Sequence, residues 1–420
     1  MIATYQKDYV EISNLTKLNK LLNSLSSTNS IFYSSRDYDL RSLKSLDELR
    51  KFPFLCKKDL ILDQKKNSPF GAFHCLPLNT YLRSHQTSGT TQKPLKWLDS
   101  AADWDWWKKC WSYVYQAAGF EAGDTIFFPF SFNFFIGFWS AYDAAQSLGI
   151  RTIAGGGQDS LTRIHTIQEY SPKGLIITPS HCFRLIEKAR QVNVDLSSLS
   201  VSKIVLAGEA GGSIGGVAEQ ISTAWNSETF DHYGCTELGA MGYQCTEYRD
   251  GFHLNEDEFI FEVIDPHTLE PVGEAETGEL VVTNLGRYGS PLIRYRTGDI
   301  VRVTHEICSC GRTHKRCIGG ILGRVNDTMI VKGVNIYPSA VESVIRNYKD
   351  ILDFQCLFKQ DLVNPEIILK LAVKDEKEKI LSAVWREMKN TFHFTFRVEI
   401  VPLGSLPKFE GKSKRFLLID

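Results

Sequence analysis

Residues 87–94 read Thr-Ser-Gly-Thr-Thr-Gln-Lys-Pro. The stretch has no large apolar side chain, so it cannot pack a core. Its glycine and β-branched residues favour an extended, tightly turning loop. Successive N–H groups around a glycine make a concavity for anions, and four hydroxyls and a lysine complete the donor set. Such a set suits the oxygens of a polyphosphate. It is not a Walker A loop, because the G-x-x-x-x-G-K-[ST] spacing is absent. A Ser/Thr-rich surface turn has the same composition, so the other motifs decide between the two.

Four further short motifs follow in order. They are Tyr233-Gly-Cys-Thr-Glu237, Tyr295-Arg-Thr-Gly-Asp299, Gly323-Arg-Val-Asn-Asp327, and Gly411-Lys412 with Arg415 shortly after. Each alone is ordinary: an Asp after Thr-Gly is a common turn residue, and a terminal Gly-Lys is a common solvated tail. Cys308-Ser-Cys310-Gly311 is a different chemistry. Two thiolates one residue apart can grip one metal, and structural zinc takes four such ligands in a tetrahedron. The other cysteines are mostly scattered singly and read as reduced thiols.

These motifs need a scaffold, and 420 residues suffice for one large domain and a smaller one. Hydrophobic content of 43% and charged content of 23% are those of an ordinary globular protein. A net charge of −1 gives no basic field for nucleic acid or an anionic membrane. The first residues lack the pattern of a secretion signal, so a cytoplasmic location is expected. The uncharged run from Thr125 to Tyr142 holds Pro129, Asn133 and Gly137 and is short for a bilayer. It reads as a buried strand followed by a buried helix.

Leu15, Leu18, Leu22 and Leu25 recur at helical spacing, and Leu43, Leu46 and Leu49 suggest a second short helix. Between about 100 and 225, strands are predicted at Thr125–Phe130, Ile150–Ala154, Gly174–Thr178 and Lys203–Ala207. Helices are predicted at Trp104–Ala118, Leu161–Tyr170 and Cys182–Gln191. Such alternation argues for an α/β fold with a mostly parallel sheet. The glycine-bearing loops 155–157 and 208–216 fall beyond strand ends, where open α/β sheets bind ligands. Residues 250–325 read as a β-rich subdomain. Residues 326–420 read as a small α+β domain after a hinge at Asn326-Asp327. The expected fold class is α/β: a large multi-sheet N-terminal domain (1–325) and a small mobile C-terminal one.

In this order and spacing the motifs resemble the adenylate-forming superfamily of acyl- and aryl-CoA ligases, and most of all its phenylacetate–CoA ligase group. Phe52-Pro-Phe-Leu-Cys-Lys-Lys-Asp-Leu60, Thr178-Pro-Ser180, Pro291-Leu-Ile-Arg-Tyr-Arg-Thr-Gly-Asp299 and Lys332-Gly-Val-Asn-Ile-Tyr-Pro338 extend the resemblance over nearly the whole chain. It implies that a carboxylate attacks the α-phosphorus of ATP, giving an acyl-adenylate and pyrophosphate. A thiol, that of coenzyme A, then displaces AMP. Such an enzyme must position two anions and stabilise charge on phosphate oxygens.

The resemblance also implies roles. Thr87, Ser88, Gly89, Thr90, Thr91 and Lys93 would cradle the β- and γ-phosphates, and Glu237 would hold Mg²⁺. Tyr233 and Gly234 would lie near the adenine with Gly208, Glu209 and Ala210, and Thr236 would touch the α-phosphate. Asp299 would accept from the ribose hydroxyls, as an ionised carboxylate can. Arg324 would contact ribose or phosphate, and Lys412 would reach the α-phosphate and the incoming carboxylate. Some relatives carry a zinc site of the form Cys…His…Cys-x-Cys, which implies Cys245 and His253 as partners of Cys308 and Cys310. Cys317, His305 and His314 are the alternatives. A homodimer is likewise implied. Two positions depart from the family pattern: Gln92 stands where a glycine is usual, and Asn326 where an acidic residue is usual.

By the same resemblance, the acyl pocket is lined by Phe132, Asn133, Phe134 and Ile136, by Gly208 and by Tyr233. That lining is aromatic and uncharged, so a second carboxylate would be costly to bury there. An aromatic or apolar monocarboxylic acid is expected, with Asn133 or His181 placed to read a hydroxyl or amino substituent. Two other functions stay open. One is an adenylating enzyme with another acceptor, such as an amine or a carrier-protein thiol. The other is a zinc-stabilised binding protein that has lost catalysis.

Overall fold

The computed structural model describes residues 7–28, 30–36, 38–87, 94–130, 132–209, 211–214, 216–327, 329–331, 334–359, 366–407 and 415–419. Five parallel strands form one half of its main sheet, in the order Arg151–Ala154, Thr125–Phe128, Gly174–Ile177, Lys203–Leu206, Glu228–Cys235. The first four are short apolar runs separated by helices, as the sequence predicts. Each ends within one or two residues of its expected boundary. They are short because each meets a glycine, proline or capping residue at its carboxyl end, and the chain turns there into the loops that face the ligand side.

Helix Ala101–Ala117 covers this sheet. Ser100 caps it by accepting from Asp103 N, and the Asp103 carboxylate accepts in return from Ser100 N and Oγ. Trp104, Trp107, Trp111 and Val114 line one face at helical spacing and are buried. Helix Pro179–Gln191 starts with proline in its first turn and is capped by Thr178 Oγ1.

Strand Glu228–Cys235 changes partner along its length. Glu228–Asp231 pair in parallel with Lys203–Leu206, whereas His232–Cys235 pair antiparallel with Gly239–Tyr243. From there the same hydrogen-bonded path continues through Gly251–Leu254, Arg316–Ile318, Tyr295–Thr304, Thr277–Asn284 and Phe259–Ile264. The β-rich stretch expected at 250–325 is therefore joined edge to edge to the parallel half. Helix Lys7–Ser27 packs outside with Leu18, Leu21, Leu22 and Leu25 buried, while the expected second helix is a 3₁₀ turn at Leu46–Lys51.

Gly323–Arg324 pairs with Asp299–Ile300, and a 3₁₀ turn at Val325–Asp327 follows. Beyond it lies a four-stranded sheet, ordered Arg397–Val401, Glu366–Val373, Ile351–Lys359, Phe416–Ile419. Helices Pro338–Arg346 and Lys377–Phe392 close its core, in which Val341, Leu369, Leu371, Val384 and Met388 are fully buried. Among the described residues, two hydrogen bonds join this unit to the larger one near its first helix. Gln220 Nε2 donates to Arg346 O at 2.7 Å, and Ser339 Oγ donates to Leu322 O. Gly216 leaves room for the Arg346 backbone, which a Cβ there would approach to 2.8 Å. Among the described residues no helix is long and apolar enough to cross a membrane.

Candidate active site

The expected phosphate-binding loop grows from a β-hairpin. Strands Tyr81–Gln86 and Lys96–Ser100 pair antiparallel. Thr87 N donates to Leu95 O, and Leu95 N donates to Thr87 Oγ1, both at 3.0 Å. The buried threonine thus closes the neck of the loop. Ser88, Gly89, Thr90, Thr91 and Lys93 lie outside the described residues, as do Ala210 and Lys412.

The Tyr233–Glu237 loop is held from behind. Arg287 and Asp99 have no solvent exposure and meet in a bidentate pair, with Nε–Oδ1 at 2.8 Å and Nη2–Oδ2 at 2.9 Å. Arg287 Nη1 then donates to Thr236 O at 2.8 Å and Glu237 O at 3.0 Å. The guanidinium also lies 4.8 Å from the Trp97 ring centre and 5.4 Å from that of Trp107. Asp99 sits on the second hairpin strand, so one buried pair ties the hairpin to the loop that carries Glu237. Sequence reading missed both residues. Glu237 is nearly buried, and Lys57 Nζ stands 3.2 Å from its Oε1. Lys57 lies in the Phe52–Leu60 stretch and was likewise missed.

Tyr233, Asp299 and Arg324 come together as one cluster. Tyr233 Oη donates to Asp299 Oδ2 at 2.7 Å, and Arg324 Nε donates to Asp299 Oδ1 at 2.8 Å. Burial, reinforced by the neighbouring carboxylate, pushes the Tyr233 hydroxyl well above its ordinary pKa, so it stays a donor. The Asp299 charge in turn holds Arg324 more firmly protonated. Tyr233 stacks on Phe252 with ring centres 5.4 Å apart. A Cβ on Gly234 would come within 2.7 Å of Gly239 O, so the strand approach requires glycine there.

Gly208 adopts φ +85°, and a Cβ on it would lie 3.6 Å from both Phe138 and Thr178. It is a junction between the nucleotide loops and the aromatic wall. Glu209 turns away from that junction, because its carboxylate accepts from Ser180 N at 3.0 Å and Ser180 Oγ at 2.8 Å. It thereby anchors the start of helix Pro179–Gln191.

The aromatic segment divides. Phe132, Asn133 and Phe134 line a hollow of about 400 Å³ with Trp139, Arg83 and His85. Phe134 is 58% exposed. Ile136 stands apart at 1% exposure, packed in the core as the first residue of helix Ile136–Ser147. Asn133 bonds locally: its Oδ1 accepts from Phe134 N, and its carbonyl accepts from Trp139 Nε1, both at 2.9 Å.

Cys245, His253, Cys308 and Cys310 converge, with one ligand atom of each within 4.8 Å of the others. Cys245 Sγ and Cys308 Sγ are 3.8 Å apart, and Cys310 Sγ is 3.5 Å from His253 Nε2. Tetrahedral zinc with Zn–S near 2.3 Å sets ligand atoms about 3.8 Å apart. His253 Nδ1 faces His314 O at 3.2 Å, an arrangement that leaves Nε2 as the ligating nitrogen. Two of the alternative ligands lie outside this group: His314 Nδ1 shares a hydrogen bond with Tyr243 Oη at 2.7 Å, and Cys317 is buried in its strand.

Comparison with known proteins places the chain. The family model for the AMP-binding enzyme C-terminal domain matches residues 333–418. Phenylacetate–coenzyme A ligase of Thermus thermophilus is 30% identical over 403 residues, which are 90% of this chain and 89% of the relative. The Escherichia coli enzyme of the same name is 30% identical over 384 residues, covering 89% and 85%. The solved 2-hydroxyisobutyryl-CoA ligase in its postadenylation state shares the fold, with TM-score 0.92 at 23% identity over 99% of this chain and 90% of that one. The same ligase with 2-HIB-AMP and CoA in the thioesterification state gives 0.75 at 24% identity over 99% and 91%. With the five motifs in order and the full-length similarity to these relatives, the chain belongs to the phenylacetate–CoA ligase family of AMP-forming, adenylate-forming enzymes.

Proposed function

We propose that this ligase activates an acid with an aromatic or apolar body, and that Tyr233, Asp299, Arg324, Glu237 and Lys412 do the work at the nucleotide. The overall reaction is ATP-dependent. A carboxylate oxygen bonds the α-phosphorus as the bond to the β-phosphate breaks, and pyrophosphate leaves. The coenzyme A sulfur then bonds the acyl carbon as the bond to AMP breaks.

The observation that carries the site reading is the Tyr233–Asp299–Arg324 cluster, which offers a carboxylate acceptor beside an aromatic ring. In this reading Asp299 exchanges one of its present donors for a ribose hydroxyl, and the ring of Tyr233 lies beside the adenine. Thr236 and the hairpin loop bracket the phosphates, and Lys412 meets the α-phosphate. Mg²⁺ fits Glu237, a nearly buried oxygen ligand next to the expected phosphate position. Bound there, the ion would neutralise charge on the phosphates, and Lys57 would release the carboxylate to it. The acyl group would lie between Gly208 and the Phe132 wall.

The four-ligand cluster would hold a structural zinc, since it supplies four N and S donors and leaves no open position. The connection at 325–327 would let the smaller unit turn between half-reactions. Its support is that one relative's two states match this chain unequally, at 0.92 and 0.75. The test is ATP–pyrophosphate exchange with a panel of ring and aliphatic acids, followed by AMP release with and without coenzyme A. Exchange confined to short aliphatic acids would overturn the aromatic reading. AMP release indifferent to coenzyme A would move the acceptor to an amine or a carrier thiol.

A further inference from the structure

Arg163 is 7% exposed, yet among the described residues its hydrogen bonds go to neutral groups alone. Nε and Nη2 donate to Gly155 O at 3.4 and 3.3 Å, both long. Nη1 donates to His181 Nε2 at 2.5 Å. That geometry makes His181 neutral, with its proton on Nδ1. Burial and the adjacent Arg163 charge both push His181 down to about 4, in agreement. A buried guanidinium without an anion is costly, because charges taken from water need a partner that returns what hydration supplied. Asp159 acts on Arg163 only from a distance, and Arg184 opposes it.

The position of this cation gives it a use. Gly155-Gly156 follows strand Arg151–Ala154, and a Cβ on Gly156 would lie 3.7 Å from Phe132 Cδ2. His181 is in the first turn of the helix capped by Thr178, and Thr178 and Phe138 flank the same Gly208. Arg163 and His181 therefore stand behind the aromatic wall, beyond the carboxyl ends of the two parallel strands that flank Thr125–Phe128. The sequence reading expected no cation in this region.

We infer that the acid substrate carries a second acceptor oxygen, a hydroxyl or a carboxylate on its ring, which Arg163, positioned by His181, binds at the far end of the acyl pocket. The inference rests on the ring-acid reading above. Arg163 supplies the charge and its remaining N–H groups the donors, while His181 Nε2 holds the guanidinium in place. The activated carboxylate lies at the other end, toward Gly208 and the nucleotide. An unsubstituted ring would leave the cation unpaired, so the site discriminates against it by the cost of an unmet buried donor.

The experiment measures pyrophosphate exchange with matched acids: benzoate and phenylacetate against their 3- and 4-hydroxy and 3- and 4-carboxy derivatives. At least one substituted acid should exceed its parent about tenfold or more in kcat/KM. The hydroxy and carboxy arms decide which oxygen is read. In Arg163→Met that preference should fall about tenfold, and Arg163→Lys should recover part of it. His181→Gln gives a second, independent reduction should the methionine variant fold poorly. If wild type prefers the parents and the ratio is unmoved in Arg163→Lys and His181→Gln, the inference is overturned while the ring-acid reading stands. Exchange with aliphatic acids alone overturns both.

Discussion

The Arg287 guanidinium and the Asp99 carboxylate are joined through two hydrogen bonds, 188 residues apart in sequence and with neither side chain exposed. Through Arg287 Nη1 the pair also fixes the carbonyls of Thr236 and Glu237. Removing one partner leaves the other buried and charged, which costs about 3–5 kcal/mol. Asp99→Asn should therefore lower stability by that amount, and Arg287→Met likewise. The double variant Asp99→Asn with Arg287→Met should be less destabilised than the sum, and chemical denaturation of the four proteins measures the coupling. In those that fold, the KM for Mg·ATP should rise more than the KM for the acid. An equal rise in both would show that the pair does not act through the Glu237 loop.

Asp299→Ala removes the acceptor shared by Tyr233 and Arg324. A hydrogen bond to a charged group contributes about 1.5–3 kcal/mol, so the KM for ATP should rise about 10–100-fold. Arg324→Ala should raise it less, because Arg324 is the more exposed partner. Initial rates of exchange at varied ATP check this, and an unchanged KM for ATP in Asp299→Ala would remove Asp299 from the nucleotide site.

Asp231 gives a pH-dependent outcome. Burial raises its carboxyl to about 6 from an ordinary 3.8, against the hydrogen bond from Ser213 Oγ, which lowers it. The folded state therefore holds this proton more tightly than the unfolded chain. Its stabilising effect is complete below about pH 4, falls as pH rises, and is gone above about pH 6. A shift of about two units corresponds to about 3 kcal/mol. Asp231→Asn should flatten the stability profile between pH 4 and 6 and raise stability at pH 7.5. Thermal melts across that range decide it, and an unaltered slope would place the titration elsewhere.

The helices and strands of the parallel half were legible because apolar runs and helical stripes alternate there with few exceptions. The capping box at Ser100 and Asp103 and the proline start of helix Pro179–Gln191 set those helices to begin at Ala101 and Pro179, three residues before the expected Trp104 and Cys182. The cluster of Tyr233, Asp299 and Arg324 was legible through its motifs. Ile136 was misplaced because a residue at the first turn of a helix can face either the pocket or the core, and sequence does not say which. Arg287, Asp99, Lys57 and Arg163 were invisible for a different reason. Each acts on a group far away along the chain, and a lone charge in an ordinary sequence gives no sign of burial. The useful signal was weak: Asp99 directly follows the apolar pair Trp97-Leu98 in strand Lys96–Ser100.

The zinc reading has its own outcome. Protein purified without added metal should contain about one zinc per chain, and Cys308→Ser or Cys310→Ser should lose it. Melting temperature should fall in both variants before exchange activity does, since the cluster lies apart from Tyr233, Asp299 and Glu237. Substoichiometric metal in the wild-type protein, by elemental analysis, would count against the site.

Asn326→Pro should stiffen the turn at Val325–Asp327. Pyrophosphate exchange should survive, while thioester formation falls tenfold or more. Parallel loss of both half-reactions would mean that the turn is a support and not a pivot.

Gly323–Arg324 is hydrogen-bonded to Asp299–Ile300 immediately before that turn. The near end of the connection is consequently bolted to the proposed seat of the nucleotide, like an axle mounted in a fixed bearing. In the proposed reorientation of the smaller unit, the torsional displacement would be confined to the few residues after Arg324. An adenylate held against Tyr233 and Asp299 would then keep its register while the face that covers it is exchanged, and the intermediate would not have to be released and caught again.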